Sequence, residues 1–140
     1  MLFRSKLLDV RKSDSDSYFC TATNLLGSVV QETLLVVVSL PRFTLKPPVK
    51  AAVRISDNLT LNCNATGDPQ PVVSWKKQGG QLPVRRSQLI NGTLVIRDIK
   101  NEDSGNYICV ARSAGVFVVE TVTYVHVQQF KGEFLLDTIE

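Results

Sequence analysis

Apolar and polar residues alternate strictly over residues 58–65, Asn-Leu-Thr-Leu-Asn-Cys-Asn-Ala. Leu59, Leu61, Cys63 and Ala65 share one side and Asn58, Thr60, Asn62 and Asn64 the other, which is the period of a strand with one dry face. Gly67, Asp68, Pro69, Gln70 and Pro71 then form a turn cluster, because Pro cannot donate to a ladder. The alternation resumes at residues 73–76, and Leu94 and Ile96 point inward after an Asn91-Gly92 pair that reads as a hairpin turn. Asp103-Ser104-Gly105 makes another turn before Tyr107, Cys109 and Ala111 face inward. Residues 116–127 are β-branched and of ambiguous phase, as expected of a final strand containing a bulge. No stretch keeps a helical period over two turns.

The unit repeats. An offset of 89 superposes Asp9 on Asp98, Asp14 on Asp103, Ser15 on Ser104, Tyr18 on Tyr107, Cys20 on Cys109 and Ala22 on Ala111. In the second copy this segment closes a long β-rich stretch; in the first it opens the chain. Residues 1–40 therefore read as the last three strands of a truncated domain, which the family resemblance given below would letter E, F and G. Residues 41–127 read as a complete domain entered through a short connector, and residues 128–140 as a tail.

Composition narrows the classes. The chain has 140 residues, 44% of them hydrophobic and 21% charged, which suits a packed core. Nineteen are Val, and such side chains fit half-buried pleated surfaces. A net charge of +3 is too small and too dispersed for phosphate-backbone binding, so nucleic acid is not an expected partner. The longest apolar run, residues 34–38, falls far short of the roughly 20 residues of a membrane span. Three Cys and a single His, His126, imply no metal or other cofactor. Arg4, Lys6 and Asp9 interrupt any export leader over residues 1–10.

Cys63, Trp75 twelve residues later, and Cys109 with Tyr107 two residues before it resemble the Cys, Trp, Cys and tyrosine-corner pattern of immunoglobulin domains. The Cys63 to Cys109 interval and the motifs around Gly67, Pro69, Leu94 and Asp103 are similar to the intermediate set, the I-set. The resemblance implies an all-β, immunoglobulin-like sandwich with a core of Leu61, Trp75, Leu94, Ile96 and Tyr107. It also implies a Cys63–Cys109 disulfide; the alternative is a pair of reduced core thiols, as in intracellular members. Where the family often has Gly, this chain has Ser56-Asp57, and Asp tolerates such a turn. Cys20 has no mate in its own half-domain; a partner upstream accounts for it, and intermolecular pairing is the alternative.

Three sequons, at Asn58, Asn64 and Asn91, are expected to take N-linked sugar on the A-B-E-D layer. On the opposite C-F-G layer, Val72, Lys76, Ile108, Val110 and Arg112 are expected to point outward as a contact face for a protein partner, unless neighbouring side chains cover them. Lys76, Lys77, Arg85 and Arg86 form a candidate heparan sulfate patch, or else a solvated face.

No nucleophile, base and orienter form a catalytic motif, so the chain reads as no enzyme. The function implied by the resemblance is a binding and adhesion module. It would belong to a multi-domain extracellular or cell-surface receptor or matrix protein, with homophilic or heterophilic protein partners and with leader and any anchor outside residues 1–140. The alternatives are a spacer of a giant intracellular muscle protein, or the ectodomain of a receptor kinase or matrix peroxidase.

Overall fold

The computed structural model describes residues 4–129, and the chain divides into two compact units between Ser39 and Leu40. In the first unit a short 3-10 helix, Lys12–Asp14, leads into β1 (Asp16–Asn24), which pairs antiparallel with β2 (Gly27–Leu35). The expected third strand is not formed, for residues 4–11 hold no ladder. Its counterpart in the second copy is stabilised from both sides by strands that this unit does not contain. The hairpin bears Phe19, Val29, Val30 and Leu34 exposed.

The second unit comprises β3 (Ser39–Leu45), β4 (Lys50–Arg54), β5 (Leu59–Leu61), β6 (Asn64–Asp68), β7 (Val72–Lys77), β8 (Ser87–Ile90), β9 (Thr93–Ile96), β10 (Gly105–Ser113) and β11 (Phe117–Gln128). One sheet has the order β4-β11-β10-β7, with β4 parallel to β11 and the other pairs antiparallel. The other layer is built from β5-β9-β8 and from β3-β6, where β5 and β6 are successive pieces of one path interrupted at residues 62–63. No strand lies between β7 and β8, which leaves the layers at the sizes expected from the short interval between the cysteines.

The inward residues read from the alternation meet across this sandwich. Leu59 sits opposite Ile96 and Leu61 opposite Leu94, all four buried, and they pack with Trp75, Tyr107, Cys63 and Cys109 in one cluster. Strand β11 keeps a constant register with β10 from Phe117 to Val125, so the expected bulge is absent. Its phase resolves once β4 covers one end: Thr123, Val125 and Val127 are buried and the residues between them exposed.

Two turns show which residue types the backbone demanded. Asn91 (φ 49°) and Gly92 (φ 84°) both lie in the left-handed region, as a two-residue hairpin of the I′ type requires. A Cβ on Gly92 would overlap the Cys63 carbonyl oxygen, so the turn also needs glycine for space. In the turn before β5 the left-handed residue is Ser56 (φ 68°), not Asp57 as the sequence reading supposed. Ser56 N–H donates to the Ile99 carbonyl and the Asp57 carbonyl accepts from Ile99 N–H, and this exchange with the segment that follows β9 holds the strained residue in place. The proposed tail at residues 128–140 lies outside the described residues from 130 onward.

Candidate protein-contact face

The outer face of β4-β11-β10-β7 follows from the register. Arg112 lies between Val72 and Val118, Val110 between Ser74 and Glu120, and Ile108 between Lys76 and Val122, while Tyr124 lies beside Lys50. Val72, Val118, Val122 and Tyr124 are 71%, 40%, 46% and 43% exposed, and Ile108 is half-buried. Val110 corrects the sequence reading: it is only 6% exposed. Lys76 Nζ reaches Glu120 Oε1 at 3.3 Å across β10, and this ion pair spans the strand between Ile108 and Val110. Alternation gave the direction of Val110 but not its cover. The exposed strip that remains has cations around it, Lys50, Arg54 and Arg112, with Glu120 as the carboxylate paired to Lys76.

The four basic residues proposed as one patch are not brought together. Lys76 and Lys77 are consecutive on β7 and therefore point to opposite faces. Lys77 Nζ donates to the Glu102 carbonyl at 2.7 Å and lies 5.7 Å from the centre of the Tyr107 ring. Arg86 turns inward as a fork on Asp103, with Nη1 to Oδ2 at 2.8 Å and Nη2 to Oδ1 at 3.0 Å. Arg85 is exposed, and it lines a depression of about 240 Å³ together with Arg86 and Arg97, the last not anticipated from the sequence.

Asp103 is the hub beneath this end of the sandwich. Its side chain is 3% exposed, accepts the Arg86 fork and the Lys100 N–H, and its carbonyl accepts the Tyr107 hydroxyl at 2.7 Å. Burial penalises the charged carboxylate, but the hydrogen bonds from Arg86 and Lys100 outweigh it and hold the carboxyl below its ordinary range. The hydrogen bond to Asp103 in turn raises the Arg86 guanidinium. Burial, with the nearby Asp103 charge, pushes the Tyr107 phenol up to about 12.

Cys63 and Cys109 are bridged across the layers, and Trp75 Nε1 donates to the Gly92 carbonyl at 3.0 Å, tying the ring to the β8–β9 turn. Cys20 is a free, exposed thiol among the described residues. Asn58, Asn64 and Asn91 are all exposed, and all lie in or next to the β3-β6 and β5-β9-β8 layer. His126 is an exposed residue of β11.

Residues 41–113, just over half of the chain, match the family model of the immunoglobulin domain. The chain belongs to the immunoglobulin domain family. Roundabout homolog 1 of Homo sapiens is 40% identical over 105 residues, which is 74% of this chain and 6% of that protein. Among solved structures, extracellular domains 3-5 of Drosophila OTK superpose with a TM-score of 0.75 at 28% identity, over 86% of this chain and 42% of that one. Eight domains of the Down Syndrome Cell Adhesion Molecule give 0.68 at 30% identity, over 85% of this chain and 16% of that one. The chain thus spans a small part of Roundabout homolog 1 and less than half of either structure.

This immunoglobulin domain carries one pair that the motif reading missed altogether, Arg86 with Asp103. Asp103 was legible as a turn residue, yet only the pairing of β8 with β9 brings Arg86 up to it. Among the described residues no helix is long and apolar enough to cross a membrane.

Proposed function

We propose that the chain is a protein-recognition segment of an extracellular, multi-domain adhesion or guidance protein, and that it meets its partner through the outer face of β4-β11-β10-β7. The observation that carries this is the exposed strip of Val72, Val118, Val122 and Tyr124 with its basic rim, on the layer where no sequon lies. The Cys63–Cys109 bridge supports an oxidising compartment and speaks against the intracellular spacer, whose thiols would stay reduced. Similarity to a cell adhesion molecule and to extracellular domains supports the same reading. Residues 1–40 fit as the end of a preceding domain of the same kind, and Cys20 as the counterpart of Cys109 in it. Heparan sulfate has less support, because Arg86 is engaged by Asp103 and Lys76 by Glu120.

Val122→Glu tests the face without disturbing the core, whereas Val110→Glu would bury a charge. Binding of the exported chain to cells and to itself should fall at least about tenfold for Val122→Glu, the effect of an unpaired charge costing about 1.4 kcal/mol. Gln88→Glu, at an exposed position of β8 on the opposite layer and outside every sequon, should bind as the parent does. Equal binding by all three proteins, each with an intact fold, removes the proposal.

A further inference from the structure

A depression of about 450 Å³ where the two layers meet is lined by Asn64, Leu89, Asn91 and Gly92 of the sequon-bearing layer and by Val73 of β7. Two of the three sequon asparagines thus open into one hollow whose wall includes apolar side chains. Leu89 precedes Asn91 by two residues at the end of β8, and it is 46% exposed. Asn91 is presented by the I′ turn, with Gly92 held beneath it by the Trp75 hydrogen bond and by the close approach of Cys63. Thr93, the hydroxyl residue of the sequon, donates to Asn62 Oδ1 at 2.9 Å. The backbone that presents Asn91 is therefore held on both sides of the turn, and Asn91 lines the hollow.

We propose that this hollow is the seat of the first N-acetylglucosamine of a glycan on Asn91. The donor is a polyprenyl-diphosphate-linked oligosaccharide. The Asn91 carboxamide nitrogen attacks C1 of the terminal N-acetylglucosamine, the new N–C bond replaces the C1–O bond, the polyprenyl diphosphate leaves, and the amide gives up one proton. Once attached, the sugar lays its apolar face and acetamido methyl over the exposed Leu89 and the half-buried Val73, while its hydroxyls stay in water. The removal of that apolar surface from water stabilises the sandwich. The modification thereby acts as a fixed part of the fold, next to the disulfide and the core indole, rather than as a mobile coat. The inference rests on the extracellular reading above but not on the location of the partner face.

The test uses the 140-residue chain exported from cells that make only oligomannose chains, behind an added leader. Thr60→Val and Thr66→Val remove the other two sequons and leave Asn91 as the acceptor. Peptide mass analysis reads its occupancy. One portion is trimmed with an endoglycosidase that leaves a single N-acetylglucosamine, and another is stripped by an amidase that leaves Asp. Trp75 is the single Trp of the chain, so its fluorescence reports the melting of this sandwich. The expected result is an occupied Asn91, with the trimmed form melting like the untrimmed one and the stripped form melting about 4 °C lower. An Asn91→Asp protein made without glycan should match the stripped form. Leu89→Ala should reduce the gap between trimmed and stripped forms by at least about half, since the two groups act on each other. An unoccupied Asn91 overturns the inference and leaves the partner face untouched. Equal melting of trimmed and stripped forms, or a gap indifferent to Leu89→Ala, also overturns it.

Discussion

Arg86→Ala removes one partner of an ion pair whose carboxylate is buried. In the parent, the guanidinium forks onto both oxygens of a carboxylate whose side chain is 3% exposed, and Nη1 also reaches the carbonyls of Arg97 at 3.2 Å and Asp98 at 2.9 Å. Truncation to Ala leaves Asp103 buried with the Lys100 N–H as its remaining charge-stabilising donor among these contacts. Breaking a buried pair by removing one partner costs about 3 kcal/mol, chiefly the uncompensated charge. The pH dependence identifies that cause. Native Asp103 has its pKa depressed, so its contribution is fully present above the unfolded value near about 4 and is lost as pH falls through the lower native value. In the variant, burial acts without the Arg86 fork and favours the neutral acid, so protonation stabilises the variant relative to its own state at neutral pH. The stability gap between parent and variant should therefore be about 3 kcal/mol near neutral pH and shrink to about 1 kcal/mol well below pH 4, where lost carbonyl bonds and stem packing remain. Urea unfolding followed by Trp75 fluorescence across that range measures the gap directly. A gap that stays constant with pH would refute the assignment of the cost to the buried charge.

Two further substitution sets check the turn and the bridge. Replacing Cys63 and Cys109 together by Ala should lower unfolding free energy by about 4 kcal/mol, the chain-entropy value for a loop of this length, read from urea midpoints with and without reductant. Gly79 and Gly92 both have positive φ, but a Cβ on Gly79 meets nothing within 4 Å while one on Gly92 overlaps the Cys63 carbonyl oxygen. Gly79→Ala should therefore cost about 1 kcal/mol and Gly92→Ala at least about 3 kcal/mol, and similar costs for the two would show that the turn's conformation, not its crowding, selects glycine.

What the sequence revealed and what it hid divide along the range of the interaction. Strand alternation placed Leu61, Leu94, Ile96, Tyr107 and Cys109 inside, because facing inward is decided by a period of two and a hydrophobic face. The Asn91-Gly92 turn was equally local. Val110 was misread because it sits on the central strand β10 beside the ion pair of Lys76 and Glu120, residues 44 positions apart that meet only through the register of three strands. Arg86 was misread for a like reason: its partner lies 17 positions away, reached once β8 has paired with β9. A basic residue next to other basic residues in sequence looked like a surface patch, and strand geometry dispersed it. The outward strip therefore lies on the expected sheet but lacks Val110, one of its central residues, and the four basic residues of the heparan sulfate set are not brought together.

The two copies of the repeat separate local conformation from the packing that stabilises it. Asp9 and Asp98 have φ of 51° and 50°, and each copy has a 3-10 turn that ends four residues before Tyr18 or Tyr107. Asp14 accepts the Arg11 N–H as Asp103 accepts that of Lys100, both at 2.8 Å, and the Tyr18 hydroxyl donates to the Asp14 carbonyl as Tyr107 does to Asp103, both at 2.7 Å. Yet Tyr18 is 38% exposed and Tyr107 fully buried. The same hydrogen bond thus closes the same corner with and without a core around it, so the corner is specified by its own dozen residues. Its stabilising effect is not, because a bond that water can replace contributes little. In the second copy the opposite layer supplies the missing terms: Leu59, Leu61 and Cys63 close over the ring, and Arg86 compensates the carboxylate beneath it. That layer also carries Asn58, Asn64 and Asn91, whereas the exposed strip proposed for recognition lies on the sheet built from β4, β7, β10 and β11.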